Sequence, residues 1–296
     1  MFILKFLGTS CMKPTKDRNQ FSLFITYKDK GILVDCGEGT QRQLKIAGIS
    51  LTKISKILIT HWHGDHVLGI PGLLQTMSAS DYNGKLEIYG PIGTKKKLSY
   101  VFKAFEFDNK IHIKIYEVGE GVNYEDGSLI IEAYPMRHSV NCVAYSLKEK
   151  DKWKIDPIKV NSLSIPGYLV GKLQEGKVVT HRSKEILPEN VGSLKKGQKI
   201  GIILDTLANE NCYNVAKDCD ILVCEAVYSS ELDDKAKRYM HLTAKDAALI
   251  ANKSNSKKLV LAHFSTRYKN THDIEKEARD YFDNVLSAED FMEIRS

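Results

Sequence analysis

The sequence lacks the features of disulfide frameworks, cysteine zinc sites and membrane spans. Its six cysteines show no CxxC spacing, and several lie in apolar runs, which is typical of buried, reduced thiols in a cytoplasmic protein. No stretch approaches the ~20 apolar residues of a membrane span. Near the N-terminus Lys5 interrupts the apolar run, so we expect a first β-strand over residues 2–7 rather than a signal peptide. There is also no internal repeat and no low-complexity segment.

The composition indicates a folded protein with a mild excess of positive charge. Hydrophobic residues make up 43% of the 296 residues, so the chain can bury a large core and disorder is not expected. The net charge of +6 permits a polyanionic partner without requiring one.

The order of apolar runs predicts an α/β fold. In the first half, strands are predicted at residues 2–7, 21–27, 31–34, 54–59, 86–89, 111–118, 129–133 and 142–147, with helices at 40–47, 72–78 and 95–105. In the second half the runs "KIGIILDT", "CDILVCEA" and "KKLVLAHF" read as buried strands, with helices at 209–216, 236–240, 244–254 and 272–282 between and after them. This alternation favours two layers of sheet with outer helices, in a single domain over residues 1–296.

The stretch "THWHGDH" concentrates three of the nine histidines behind a predicted buried strand. His61 and His63 alternate, so a tight loop can aim both at one point, while Asp65 and His66 can reach a second point nearby. Imidazole and carboxylate together suit zinc or a similar first-row ion. A metal site is therefore favoured over a surface histidine cluster.

Three more candidates, His138, Asp205 and His263, lie at or just beyond apolar runs, so they can converge on the same edge of the fold. The full set offers three histidines to one ion, two histidines and an aspartate to another, and a carboxylate to bridge them. The predicted metal ligands are His61, His63, Asp65, His66, His138, Asp205 and His263.

The stretch 148–199 differs from the rest of the chain. It contains Pro157, Pro166 and Pro188, and it has eleven Lys and one Arg against six Asp or Glu, a net charge of +6 that equals that of the whole chain. On these residues alone it is either a solvated, lysine-rich excursion or an arm that meets phosphates.

These residues resemble the ribonuclease Z family of the metallo-β-lactamase superfamily. The histidine box alone is specific only to the superfamily, whereas the box, the PxxxRN and the HFSxRY patterns together are specific to ribonuclease Z. The stretches that carry the resemblance are "LGTSCMKPTKDRN", "LVDCGEGTQRQL", "THWHGDHVLGIPGLL", "CEAVYSSELDDKAKRYMHLTAKDAA" and "LAHFSTRY".

The resemblance implies an αββα sandwich with the metals at the sheet edge and an inserted basic arm, the exosite, at residues 148–199. It implies a zinc-dependent endoribonuclease, with two Zn²⁺ per subunit, that removes 3′ trailers from tRNA precursors and leaves a 3′-hydroxyl. It further implies a cytoplasmic homodimer with no membrane association, in which one subunit's arm serves the other's site.

The resemblance also assigns roles to individual residues. Asp65 would orient the attacking water and take its proton, and His241 would donate a proton to the leaving oxygen; for His241 the alternative is a helix-capping or surface histidine. Arg18, Asn19 and Arg267 are candidates for substrate contacts, or they serve the structure, as Arg267 would by pairing with a carboxylate.

Two alternatives remain at this point. The nearest is another hydrolase of the same superfamily, such as a phosphodiesterase, arylsulfatase, lactonase or thioesterase. A hydroxide generated at a two-metal site can attack carbon, sulfur or phosphorus, so the ligands alone do not separate these enzymes. A degenerate subunit that only binds RNA would lack metal ligands, and all seven candidates are present here.

Overall fold

The computed structural model describes residues 1–80, 82–106 and 110–296. Its strands are β1 (Phe2–Gly8), β2 (Ser22–Tyr27), β3 (Lys30–Val34), β4 (Ile54–Leu58), β5 (Lys85–Pro91), β6 (His112–Val118), β7 (Gly121–Glu125), β8 (Leu129–Met136), β9 (Cys142–Glu149), β10 (Lys152–Ile155), β11 (Val179–His181), β12 (Lys184–Ile186), β13 (Gly192–Lys195), β14 (Lys199–Ile203), β15 (Ile221–Glu225), β16 (Leu259–Ala262), β17 (Val285–Ser287) and β18 (Glu293–Arg295).

The described helices contain between 4 and 11 residues. They are α1 (Thr40–Ile46), α2 (Gly64–Val67), α3 (Ile70–Ala79), α4 (Thr94–Ala104), α5 (Pro157–Ser162), α6 (Gly167–Gln174), α7 (Pro188–Val191), α8 (Glu210–Ala216), α9 (Asp233–Tyr239), α10 (Ala244–Lys253) and α11 (His272–Arg279). Across these residues no helix is both long enough and apolar enough to cross a lipid bilayer.

Two seven-stranded sheets form the centre of the fold. Their strand orders are β18-β1-β2-β3-β4-β5-β6 and β17-β16-β15-β14-β9-β8-β7. Side chains alternate between the faces of a strand, so Phe2, Leu4 and Phe6 of β1 enter the core between the sheets while Leu7 faces outward.

Helices cover the outer faces of both sheets. Leu44 of α1 and Leu73 of α3 pack on the first sheet, and Val215 of α8 and Ala247 of α10 pack on the second. Strands covered on both faces read as continuous apolar runs, which is why β15 was recognisable in the sequence. The architecture is the predicted αββα sandwich.

The segment between β9 and β14 leaves the sandwich and returns to it. Lys148 of β9 pairs with Lys199 of β14, so the two ends of the excursion lie side by side. Its strands form two pairs, β10 with β13 and β11 with β12. It also has a small apolar core of its own, made of Ile165, Leu169, Leu173, Val179, Ile186 and Val191. We call residues 150–198 the arm.

Candidate metal centre

The predicted ligands follow the carboxyl ends of strands from both sheets. His61 comes after β4, Asp205 after β14, and His263 directly after β16. The two sheets meet at this edge, because the backbone N–H of Val143 in β9 donates to the carbonyl of Thr60 at 2.9 Å. Ligands from distant parts of the chain therefore come to one place.

The first group of candidate ligands contains three imidazoles and one carboxylate. Nδ1 of His63 lies 3.0 Å from Nε2 of His61 and 3.2 Å from Nε2 of His138. Asp205 Oδ2 lies 3.7 Å from His61 Nε2 and 3.8 Å from His138 Nε2. One ligand atom from each of these four residues lies within 4.8 Å of the ligand atoms of the other three.

The second group uses the other oxygen of the same aspartate. Asp205 Oδ1 lies 3.5 Å from His66 Nε2 and 3.1 Å from His263 Nδ1. Asp65 Oδ2 lies 3.5 Å from His66 Nε2 and 3.6 Å from His263 Nε2. The two oxygens of Asp205 thus face two separate groups, as expected for a bridging carboxylate.

Buried atoms without hydrogen-bond partners show that the second group fits a metal ion. Among the described residues, His66 Nε2, Asp205 Oδ1 and both ring nitrogens of His263 are buried and make no hydrogen bond. Buried polar atoms are normally paired, and leaving one unpaired costs about 1–3 kcal/mol. A cation at this point would satisfy His66 Nε2, Asp205 Oδ1 and one ring nitrogen of His263.

The electrostatics of the two groups agree with this fit. Burial, together with the neighbouring imidazole of His66, lowers the pKa of His61 well below its usual value, so His61 is held in the neutral form that binds metals. Burial alone would lower the pKa of His66, but the carboxylates of Asp205 and Asp35 outweigh it and raise this pKa to about 10. The carboxylates therefore favour positive charge at the second group.

Asp35 is not a candidate ligand, but its hydrogen bonds orient one. Its Oδ2 accepts a hydrogen bond from His66 Nδ1 at 2.7 Å, which leaves Nε2 directed at the ligand group, and its Oδ1 accepts the Thr60 N–H at 2.7 Å. Asp35 and His263 both have left-handed backbone, with φ of 53° and 58°. Such strain in non-glycine residues is typical of functional sites.

The loop that carries Asp35 packs closely against Asp65. A Cβ added to Gly37 would lie 2.6 Å from the backbone oxygen of Asp65, so only glycine permits this contact. The sequence motif "DCGEG" is thereby explained as a close support for the histidine box.

His241 lies beside the centre and is oriented by Glu225. Its Nδ1 lies 2.8 Å from Oε2 of Glu225, a fully buried carboxylate whose Oε1 accepts the Thr206 N–H at 2.7 Å. Burial lowers the pKa of His241, but Glu225 and Asp205 outweigh it and the net pKa is raised. The cap of α10 is Thr243, whose hydroxyl accepts the Asp246 N–H, so His241 is not the capping residue.

The centre opens into a cavity of about 820 Å³. His63, Asp65, His138, Asp205 and His241 all line it, together with the basic side chains of Lys13, Lys235, Arg238 and Arg267. This combination of candidate metal ligands, His241 and cationic side chains is suited to a phosphate-bearing substrate.

The three predicted substrate contacts are placed differently. Arg267 lines the cavity, with its guanidinium 5.4 Å from the ring centre of Tyr228. Arg18 donates to the carbonyl of Tyr268, and Asn19 Nδ2 donates to the carbonyl of Glu38 at 2.8 Å. Arg18 and Asn19 thus hold loops near the site, and their contact with substrate stays a prediction.

Sequence and structure comparisons place the chain among known proteins. Residues 15–148 match the metallo-beta-lactamase superfamily. Ribonuclease Z of Nanoarchaeum equitans is 41% identical over 88% of this chain and 83% of its own length. The chain belongs to the ribonuclease Z family. A family member from Methanothermobacter thermautotrophicus is 38% identical over 99% of this chain and 96% of its own length.

The fold agrees with this membership. The crystal structure of the short form of human tRNase Z superposes with a TM-score of 0.73 at 25% identity, and the match covers 99% of this chain and 98% of that one. The predicted family and the metallo-β-lactamase fold are confirmed.

Three residues of the centre carried no predicted role: Asp35, Glu225 and Cys11, whose Sγ lies within 4.8 Å of ligand atoms of Asp65 and His263. The signal for Glu225 was present, because it ends the buried strand β15 just as Asp205 follows the neighbouring β14. Asp35 likewise follows buried strand β3.

Proposed function

We propose that this chain is the endoribonuclease that cleaves tRNA precursors at their 3′ side, removing the trailer and leaving a 3′-hydroxyl on the tRNA. The relatives named ribonuclease Z and tRNase Z support this substrate class. The observation that carries the chemistry is the position of Asp205, whose Oδ2 faces one group of imidazoles and whose Oδ1 faces another.

We propose two zinc ions per chain. One would be held by His61, His63, His138 and Asp205, and the other by Asp65, His66, His263 and Asp205. Three imidazoles with one carboxylate, and two imidazoles with two carboxylates, are donor sets that suit zinc. When bound, such ions supply Lewis-acid polarisation of a phosphate and lower the pKa of water toward neutrality.

The protein's own residues divide the proton transfers. Asp65 lines the cavity and takes the proton of the water that attacks phosphorus. His241 donates a proton to the 3′ oxygen of the upstream nucleotide as its bond to phosphorus breaks, which yields the 3′-hydroxyl and a 5′-phosphate on the trailer. Because Glu225 occupies His241 Nδ1, the other ring nitrogen is the one available to the substrate.

We propose that the arm binds the folded tRNA at a distance from the cut. Its eight lysines between residues 152 and 196 are all exposed. Among the described residues, only Lys177 of these makes an ion pair, with Glu175. RNA of this kind is recognised largely through its shape and backbone.

The β10–β13 strand pair of the arm carries positive charge that the arm itself does not neutralise. Lys152 of β10 lies directly opposite Lys195 of β13, and Lys154 is on the same face two residues on. Like charges in directly opposed positions destabilise a pair of antiparallel strands. Binding of phosphates would remove this repulsion, whereas the repulsion would persist if the arm were only solvated.

The test of the proposed function is incubation with a tRNA precursor that carries a 3′ trailer, with and without chelator, followed by mapping of the product ends. We expect chelator-sensitive cleavage that gives a tRNA 3′-hydroxyl and a trailer 5′-phosphate. Chelator-resistant cleavage, or a cyclic phosphate at the new end, would contradict the mechanism.

Removing the arm tests whether tRNA binding and phosphodiester hydrolysis are carried by separate parts of the chain. The side-by-side positions of Lys148 and Lys199 allow a short linker to replace residues 151–196. We expect cleavage of precursor tRNA to be lost and hydrolysis of bis(p-nitrophenyl) phosphate to persist. Equal losses of both activities would show that arm and metal centre are not separate functions.

We further propose a cytoplasmic homodimer in which each arm serves the partner's metal centre. All six cysteines are free thiols and five of them are buried, which suits a reducing compartment. Co-expression of the arm-deleted chain with a full-length chain that carries Asp205→Ala should then restore activity that neither chain has alone. Failure of this complementation in a mixed dimer would mean that the arm serves its own site.

A further inference from the structure

Cys11 stands at the metal centre although it belongs to none of the proposed ligand sets. Its backbone N–H donates to the carbonyl of Phe264 at 2.9 Å, next to His263. The following N–H, that of Met12, donates to Asp65 Oδ2 at 2.8 Å. The backbone on both sides of the thiol is therefore tied to the second ligand group.

The side chain of Cys11 lies within reach of the same ion. Its Sγ, a carboxylate oxygen of Asp65 and a ring nitrogen of His263 lie within 4.8 Å of one another. A thiolate, an imidazole and a carboxylate are all zinc ligands, with a Zn–S distance of about 2.3 Å.

A second observation also indicates a cation here. His263 is completely buried, and neither of its ring nitrogens has a hydrogen-bond partner among the described residues. Cys11 differs from the other cysteines, because it is partly exposed and lines the cavity while the other five are buried.

We propose that Cys11 is a sulfur ligand of the metal ion that Asp65 and His263 hold. This inference rests on the metal centre of the proposed function. On binding, the Sγ–metal bond forms and the thiol proton passes to solvent. A soft sulfur donor at this position favours zinc, cadmium and cobalt over manganese.

The test is cobalt substitution of the chelator-stripped full chain, read by absorption spectroscopy and by metal content. We expect a thiolate-to-cobalt charge-transfer band in the near ultraviolet for the wild-type protein. Cys11→Ala and Cys11→Ser should lose the band, whereas Cys219→Ala should keep it, because Cys219 is buried against the carbonyl of Val215.

The outcomes separate this inference from the metal centre itself. Cobalt binding without the band in the wild type, or a band that survives in folded Cys11→Ala, would overturn the role of Cys11 and leave the centre standing. A wild-type chain that binds no cobalt would refute the proposed centre and the sulfur ligand together. Circular dichroism of each variant checks that it is folded.

Discussion

Exchanging Lys152, Lys154 and Lys195 for glutamine tests whether the arm holds tRNA through phosphates. The three lysines share one face of the β10–β13 strand pair, and Lys152 lies directly opposite Lys195. All three are exposed, so the exchange removes three charges without opening a cavity in the arm's core. It also removes a like-charge contact, so the strand pair is not expected to lose stability.

The magnitude follows from counterion release. Each phosphate contact contributes about 0.7–0.9 to the slope of log affinity against log salt. Three lost contacts lower the slope by about 2–3, which corresponds to a factor of about 20–40 between about 50 and 200 mM salt. Over this range of salt, the kcat/KM for precursor tRNA should decrease for both proteins. The decrease should be larger for the wild-type protein than for the variant by this factor.

The assay compares kcat/KM for precursor tRNA and for bis(p-nitrophenyl) phosphate across a salt series. A control that exchanges Lys45, Lys53 and Lys253, exposed lysines outside the arm, makes the same change in net charge. We expect the control to keep the wild-type slope, and both variants to hydrolyse the small diester normally. Equal slopes for the arm variant and the control would refute phosphate binding by this strand pair.

Three further predictions concern the centre and the first sheet. Asp205→Ala should lower metal content below two ions per chain and abolish hydrolysis; normal turnover with one ion per chain would contradict the bridge. His241→Asn should lower kcat on precursor tRNA about 100-fold yet spare bis(p-nitrophenyl) phosphate, whose leaving group needs no proton. Burial raises the pKa of Glu87, but hydrogen bonds from Lys56 and Lys85 outweigh it and lower this pKa to about 2 from 4.5. Because the folded-state pKa is depressed, about 1 kcal/mol of stability, after allowance for solvent screening, should be present above pH 4.5 and lost toward pH 2. Urea unfolding of Glu87→Gln should lack this acid loss.

The sequence predicted those elements whose side chains are buried on one or both faces. Strands β1, β4 and β9 begin at their predicted residues because their apolar side chains fill the layers of the sandwich. Strand β7 was missed because it is an edge strand with no buried residue, and its sequence "GVNYE" offers only Val122 and Tyr124 as an apolar signal. Strand β18 was missed because it has only three residues, of which Ile294 alone is buried.

The site was predictable to the extent that its residues follow apolar strands. His61, Asp205 and His263 stand out because a polar group after a buried strand needs a partner or a ligand. Cys11 also follows a buried strand, β1, but a cysteine is common in apolar surroundings and needs no polar partner there, so its position carried no signal.

The geometry of the centre links metal binding to the packing of the two sheets. The first sheet supplies His61, His63, Asp65 and His66, and residues after strands of the second supply His138, Asp205 and His263. Each proposed ion therefore has ligands from both sheets. Repulsion among the buried carboxylates and the cost of unpaired nitrogens destabilise the interface between the sheets. Since a ligand that binds only the folded state stabilises it, the free energy of metal binding is also free energy that holds this edge of the sandwich together.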